Sequence, residues 1–179
     1  MTPTIADANV ILDDTFVTND WASATGNTWS NRYEGKQYHI TAQANGDSAW
    51  TYRPFAQADV VISTAMQIKS GQAGILVRYR AETDFVAVVL VPASQEYRIY
   101  QRQGDVFVEI ARGQNPAIAQ DNLLEVRVIG KQIDITINGS VATSVAVDSM
   151  ADSARFGMIG IPDNTDADVF YSRITVRKP

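Results

Sequence analysis

The sequence contains no cysteine and a single histidine, and only 20% of its 179 residues are charged. Without cysteine, the chain has no disulfides, no thiolate metal sites and no cysteine nucleophile. His39 alone cannot build a histidine-rich metal centre. The formal net charge of -5 is mildly acidic and repels phosphate groups, so we expect no nucleic-acid partner.

Long apolar runs are also missing. The longest extends from Phe85 to Val91, too short to cross a bilayer, so we expect no membrane insertion. The segment from Met1 to Asp14 lacks the basic start and apolar stretch of a secretory signal. We expect residues 1–8 to be a flexible lead-in and residues 9–179 to form a single domain.

Alternation with a period of two residues dominates what the sequence does contain. Residues 62–68, 124–128 and 133–137 place apolar side chains at every second position, as strands with one buried face do. Turn residues separate such segments, and Asn138-Gly139 is the strongest hairpin signal because both residues tolerate positive φ. The sequence predicts an all-β, antiparallel two-sheet sandwich of about a dozen strands, with one helical turn near residues 148–152.

The order of the segments resembles that of a known fold. The pieces that carry the resemblance are Asp13–Phe16, Tyr33–Ile40, Gly74–Tyr79, Ile135–Gly139 and Phe156–Ile161. Their succession resembles the concanavalin A-like, laminin G-like jelly rolls of bacterial surface and secreted proteins. The resemblance implies two antiparallel sheets, one of them curved around a concave face, in an extracellular or cell-surface domain of a larger protein. Such domains bind glycans or proteins, and the related 3-keto-disaccharide hydrolase family is catalytic, so fold alone does not choose the function.

Glycoside hydrolases of the laminarinase type share this fold and carry Glu-x-Asp-x-x-Glu on one strand. Alternation points those carboxyl groups into one cleft, where acid and nucleophile act together. Here Glu82-Thr83-Asp84 begins the pattern, but Ala87 stands where the third acid belongs. The missing acid favours a non-catalytic binding module over a glycoside hydrolase.

Basic and aromatic residues recur at alternate positions of residues 77–80 and 97–102. Aromatic faces cover the C–H patches of sugars, and guanidinium groups donate paired hydrogen bonds to hydroxyls or carboxylates. We therefore predict a groove for an oligosaccharide or polysaccharide. Its residues would be Arg78, Arg80, Tyr100, Arg102, Trp50 and Tyr52. The alternative interpretation is that these side chains are ordinary outward residues of exposed strands.

Two other function classes stay open. Val86, Val88 and Leu90 fall on the outward parity of the same sheet, and a protein-interaction or adhesion domain would use this apolar stripe, or a sheet edge, to dock a partner or another copy of itself. A keto-sugar hydrolase would need a groove carboxyl group with a perturbed pKa. The acids near these strands are Glu82, Glu96 and Glu109.

Oxygen-bearing side chains cluster between residues 163 and 168. Asp163, Asp166 and Asp168 could contribute to a structural Ca²⁺ site, with help from Asp13 or Asp14, because calcium takes about six to eight oxygen ligands. The alternative is a solvated loop before the last strand. We expect no other cofactor.

Overall fold

A computed structural model describes residues 9–179, and nearly all of its regular structure is β-strand. Strand accounts for 65% of the described residues, which confirms the all-β prediction. The helical structure in the described part is a single 3-10 turn, Pro92–Ser94, whereas residues 148–152 form a turn without helix. No helix within residues 9–179 is long and apolar enough to cross a membrane. The predicted lead-in, residues 1–8, lies outside the described residues.

Two antiparallel sheets form the sandwich. The strands are β1 (Val10–Asp14), β2 (Ala24–Thr25), β3 (Trp29–Glu34), β4 (Gln37–Ala42), β5 (Ala49–Pro54), β6 (Val60–Ser70), β7 (Gln72–Ala81), β8 (Asp84–Val91), β9 (Glu96–Gln103), β10 (Val106–Gln114), β11 (Asp121–Ile129), β12 (Gln132–Ile137), β13 (Ser140–Ala146), β14 (Arg155–Ile161) and β15 (Ala167–Arg177). The nine-stranded sheet has the order β13-β12-β11-β6-β15-β4-β3-β2, with β1 paired to β15. The six-stranded sheet has the order β10-β9-β8-β7-β14-β5.

The alternating segments build the core of the sandwich, as predicted. The alternating large apolar residues of 62–68, 124–128 and 133–137 are buried on the inner face of the nine-stranded sheet. Val77, Ile99 and Phe156 cover them from the six-stranded sheet. Burying each large aliphatic or aromatic side chain contributes about 1.5–3 kcal/mol, so these three rows stabilise the fold substantially.

The predicted Asn138-Gly139 hairpin is confirmed. These two residues have φ of 49° and 83° and join Ile137 directly to Ser140, as a type I′ turn requires. The Asn138 side chain also accepts a hydrogen bond from the Leu123 amide at 2.7 Å, which ties the hairpin to the neighbouring strand β11.

Strand β7 contains an irregularity that the alternation does not reveal. Arg78 adopts a positive φ of 52°, and the register with β8 shifts between Val77 and Ala81. Three residues of β7, 78–80, stand here opposite a single residue of β8, which interrupts the alternation of faces along β7. Val77 therefore faces the core while Tyr79 lies on the outer face of the six-stranded sheet.

The predicted outward stripe of Val86, Val88 and Leu90 is wrong. All three are 0% exposed and belong to the core between the sheets. Their neighbours Phe85 and Val89 occupy the outer face instead. Because β8 is apolar at every position from Phe85 to Val91, hydrophobicity gives no sign of which parity points inward. The protein-interaction hypothesis loses this apolar stripe, and a sheet edge is the docking surface that it keeps.

Candidate ligand-binding groove

A groove of about 890 Å³ opens on the outer face of the six-stranded sheet. Its floor and ends come from β5, β7, β9 and β10, and one wall comes from the segment that contains β2 and β3. The lining residues on which the argument depends are Trp29, Asn31, Asp47, Trp50, Tyr52, Tyr79, Glu82, Arg102, Asp105 and Phe107. We call this surface the groove.

Three nearly parallel aromatic rings form the base of the groove. Tyr79 stacks on Tyr52 with a centroid distance of 3.9 Å and on Phe85 with a centroid distance of 5.8 Å. Tyr79 is only 3% exposed, whereas Tyr52 is 38% exposed. Since one face of the Tyr52 ring is covered by Tyr79, its opposite face supplies the exposed aromatic surface. Trp50, 5.3 Å from Phe85, extends the aromatic base along β5.

A glycine in β14 makes this stack possible. Gly157 lies between β5 and β7, opposite Tyr52 on one side and Leu76 on the other. A Cβ atom at this position would come within 1.8 Å of the Thr51 carbonyl oxygen, a separation that no real contact has. Glycine therefore lets β5 approach β14 closely and carry Trp50 and Tyr52 into the groove.

Charged side chains stand at the far end of the groove. The Arg102 guanidinium lies over the Phe107 ring, with its central carbon 4.8 Å from the ring centroid. Its Nη2 atom lies 3.9 Å from an Asp105 carboxylate oxygen. Its Nε is buried and has no hydrogen-bond partner within the described residues. The β7–β8 and β9–β10 turns meet here, because the Gly104 amide donates to the Thr83 carbonyl at 3.0 Å. That contact joins the turn that contains Glu82 to the turn that contains Asp105, and both residues line the groove with Arg102.

The opposite wall is held in place by Asp14. Its carboxylate accepts hydrogen bonds from the Phe16 amide at 2.7 Å and the Trp21 indole at 2.9 Å. The Trp21 amide in turn donates to the Tyr33 hydroxyl at 2.7 Å. This network anchors the segment after β1, from which Ala22 enters the wall of the groove.

Phenol groups in and beside the groove stay protonated near neutral pH. Burial, reinforced by the adjacent Tyr52, raises the pKa of Tyr79 to about 12. Burial also raises the pKa of Tyr38, whose hydroxyl donates to the Ala22 carbonyl in the wall, to about 12. Both groups therefore act as neutral hydrogen-bond donors rather than as acid–base groups.

The structure brings Trp50, Tyr52 and Arg102 of the predicted ligand residues together in the groove. Tyr100 lies on the same sheet face, with its ring 5.8 Å from Phe107. Its hydroxyl donates to Gln72 at 3.2 Å, so Tyr100 borders the groove through a hydrogen-bonded network.

Arg78 and Arg80 do not join this cluster. Arg78 is 0% exposed and donates hydrogen bonds to the Val147 and Gly130 carbonyls, so its predicted ligand role is wrong. Arg80 is exposed but lies outside the groove lining and pairs with Asp84 at 3.5 Å and Asp152 at 3.4 Å. The bulge at Arg78 explains both departures, because it interrupts the alternation on which the prediction depended.

The sequence prediction missed other lining residues. Tyr79 is buried beneath Tyr52 rather than between the sheets. Phe107 is an isolated aromatic residue between Val106 and Val108, which the structure shows to be exposed. That isolated aromatic position is the one sequence signal that could have identified it. Asn31 and Trp29 reach the groove only because β3 lies beside β5 in three dimensions.

The aspartates of residues 163–168 have separate partners. Asp163 accepts from Thr165 at 2.9 Å, Asp166 from the Ala44 amide at 2.7 Å, and Asp168 contacts a His39 ring nitrogen at 2.7 Å. No group of three or more potential metal-ligating side chains is found within residues 9–179. The Ca²⁺ site remains a prediction.

Asp13 and Asp14, the further residues predicted for the Ca²⁺ site, also have hydrogen-bond partners. Asp13 accepts two hydrogen bonds from Arg173, at 2.8 and 2.7 Å, and Asp14 anchors the groove wall.

The acids considered for a hydrolase do not converge. The pKa of Glu96 is lowered by its hydrogen bonds from Arg98, at 2.6 Å for the closer one, which is the opposite of what a general acid needs. Glu109 pairs with Arg112 at 2.7 Å. Of the three acids, Glu82 alone lines the groove.

No protein-family model matches the sequence, and no curated protein matches it. Solved structures do match its fold. The carbohydrate-binding module CBM66 from Bacillus subtilis superposes with a TM-score of 0.70 at 13% identity, over 88% of this chain and 95% of that one. A Bacillus subtilis protein of unknown function with a galectin-like fold has a TM-score of 0.69 at 9% identity, over 97% of both chains.

An enzyme is also among the similar structures. The catalytic domain of an endo-1,3-β-glucanase from Thermotoga petrophila has a TM-score of 0.64 at 10% identity, over 97% of this chain and 99% of that one. At such identities the likeness shows the fold alone. The chain has the concanavalin A-like jelly-roll fold that its segment order resembles.

Proposed function

We propose that this chain is a non-catalytic carbohydrate-binding domain whose ligand site is the groove. The observation that carries the proposal is the meeting of Tyr52 and Trp50 with the Arg102 guanidinium in one open groove of about 890 Å³. This combination suits a sugar, which presents apolar C–H faces and polar hydroxyl edges at once. A surface or secreted protein with further domains is the setting in which such a module works.

The two kinds of contact have distinct roles. The free face of Tyr52 covers the C–H patch of a pyranose, and Trp50 extends that contact to a neighbouring sugar unit. Arg102, fixed over Phe107, donates hydrogen bonds to hydroxyl groups through its terminal nitrogens, because its Nε is buried. Because the groove is open and buries little ligand surface, affinity should be about millimolar to micromolar.

The proposal predicts selective loss of glycan binding when the groove is altered. Tyr52→Ala removes the exposed ring, and Arg102→Ala removes the guanidinium donor. Each should weaken binding by about 1–3 kcal/mol, because the truncated side chains leave ligand groups uncovered or unpaired. The measurement is a glycan-array screen followed by calorimetric titration of the strongest binder, with and without added Ca²⁺.

Arg127→Ala is the matched control. Arg127 is a half-exposed arginine on the nine-stranded sheet, paired with Asp134 at 3.5 Å and remote from the groove. It should bind as the unaltered chain does. An array without any bound glycan, or groove variants that bind normally, would reject the proposal, and release of sugar from a bound glycan would place the chain among the hydrolases.

A further inference from the structure

The described residues that line the groove carry more negative than positive charge. Asp47, Glu82 and Asp105 contribute three carboxylates, and Arg102 contributes one guanidinium, which leaves a formal charge of -2. The whole chain, at -5, adds a long-range field of the same sign. A ligand that approaches this surface meets a potential that attracts cations and repels anions.

Arg102 is not a free anchor for a ligand carboxylate. Asp105, fully exposed, already stands 3.9 Å from its guanidinium. A carboxylate that bound Arg102 would come close to Asp105 and Glu82, and the repulsion would offset the attraction. A hydroxyl group accepts the same hydrogen bond from Arg102 without that repulsion.

Three further guanidinium groups on or beside this sheet face are already paired with carboxylates, whereas Arg155 of β14, outside the groove lining, donates to the Arg80 carbonyl at 3.3 Å. Arg98 pairs with Glu96 at 2.6 Å, and Arg112 pairs with Glu109 at 2.7 Å. Arg80 pairs with Asp84 and Asp152. No arginine among these three can bind a ligand carboxylate without losing its present partner.

The groove also contains hydrogen-bond acceptors, and burial at the wall residue Asn31 limits which of them a ligand can reach. Asn31, which is 2% exposed and lines the wall, donates through Nδ2 to the Trp50 carbonyl at 2.8 Å. Its Oδ1 has no hydrogen-bond partner within residues 9–179. Because Asn31 Oδ1 is buried, the acceptors that the groove offers to a ligand are the three carboxylates of Asp47, Glu82 and Asp105. Hydroxyl and ammonium groups are the ligand groups that satisfy acceptors.

We propose that the groove discriminates by charge, taking neutral or amine-bearing glycans and rejecting those that carry carboxylate or sulfate groups. This inference rests on the proposed function and adds the chemical class of its ligand. The discrimination comes from Asp105, 3.9 Å from Arg102, and from Glu82, which lines the same groove on the adjoining turn.

The test uses an array that carries neutral, amine-bearing, and carboxylated or sulfated glycans. The neutral glycan that binds best is then titrated beside its uronate counterpart of the same linkage, at low and high salt. Neutral and amine-bearing glycans should bind, and the uronate should bind at least about threefold more weakly at low salt, with a smaller difference at high salt.

A variant without the two acidic side chains tests whether their charge causes the weaker binding of the uronate. Glu82→Gln with Asp105→Asn should improve uronate affinity by about threefold to twentyfold and leave the neutral glycan within about twofold. Glu125→Gln with Asp134→Asn, which changes the net charge equally on the other sheet, is the matched control and should leave the ratio unchanged.

Each result decides something. The proposed discrimination by charge is overturned, while the carbohydrate-binding function stands, if carboxylated or sulfated glycans bind as well as neutral ones. It is overturned in the same way if the groove variant leaves the uronate affinity unchanged. Equal gains in the control and groove variants overturn the assignment to Glu82 and Asp105. Failure of every glycan to bind overturns the proposed function, and the discrimination by charge with it.

Discussion

The Arg78 side chain is fully buried, although arginine is seldom enclosed. Its guanidinium donates hydrogen bonds to the backbone carbonyls of Val147 and Gly130 and, at 3.4 Å, of Ser149. Burial lowers the pKa of Arg78, and the nearby Asp59 carboxylate opposes that shift. Because a buried charge is tolerated only when it is hydrogen-bonded, Arg78 serves to hold two loops at one end of the sandwich.

Replacing Arg78 should destabilise the fold strongly. Arg78→Ala leaves the Val147 and Gly130 carbonyls without their donor, at about 1–3 kcal/mol for each group that water does not reach. Denaturant unfolding measures the change. Arg80→Ala, two residues further along the same strand, removes only exposed ion pairs and should change stability by about 0.2–1 kcal/mol. Equal losses in the two variants would show that Arg78 does not hold the loops.

At the scale of the strand, β14 determines the geometry of the groove. It runs between β5 and β7, and its glycine at position 157 allows the close approach that places Tyr52 against Tyr79. Gly160 in the same strand faces the core, where the nearest atom to an added Cβ is a methyl group of Ile40 at 2.9 Å. The two glycines therefore provide a matched pair of positions.

Gly157→Ala should both destabilise the protein and weaken glycan binding. The new methyl group meets the Thr51 backbone, which cannot move without displacing β5, so the cost is about 1–3 kcal/mol. The displaced β5 carries Trp50 and Tyr52 with it. Unfolding by denaturant and titration with the array-selected glycan measure the two effects.

Gly160→Ala is the control for that experiment. Its Cβ meets a side chain that can shift, so it should cost less stability than Gly157→Ala and leave glycan affinity unchanged. If Gly160→Ala weakened binding as much as Gly157→Ala, general destabilisation rather than the position of β5 would explain the loss.

Across the whole molecule, ion pairs depress the pKa of several carboxyl groups. Hydrogen bonds from Arg173 lower the pKa of Asp13, and contacts with His39 and then Arg32 lower the pKa of Glu34. Glu96 is lowered by Arg98. A carboxyl group whose pKa is lower in the folded state stabilises the fold above its unfolded-state pKa. That stabilisation is lost as pH falls through the folded-state pKa.

The melting temperature should therefore fall as the pH drops through the range below about 4.5, the ordinary pKa of glutamate. Glu34→Gln, which removes one of these depressed groups from its contact with His39, should make that fall shallower. Thermal melts between about pH 6 and 3 measure both profiles. Identical profiles for the unaltered chain and Glu34→Gln would show that Glu34 does not contribute to acid sensitivity.

The sequence by itself determined the architecture and most of the core. Alternating apolar positions in residues 62–68, 124–128 and 133–137 fixed their buried faces, because burial at every second residue is a local property of a strand. Asn138-Gly139 specified its hairpin by its tolerance of positive φ alone. The missing third acid at Ala87 likewise removed the laminarinase-type constellation without any need for coordinates.

Only the tertiary structure decided which residues form the groove. Strand β8 is apolar on both faces, so its orientation depends on what packs against it. The positive φ at Arg78 has no sequence signal, since arginine does not favour that conformation. Trp50 and Arg102 are distant in sequence and lie on β5 and β9, with β14, β7 and β8 between them in the sheet. They share the groove because both line the same face of this sheet, and long-range packing rather than local alternation sets the strand order.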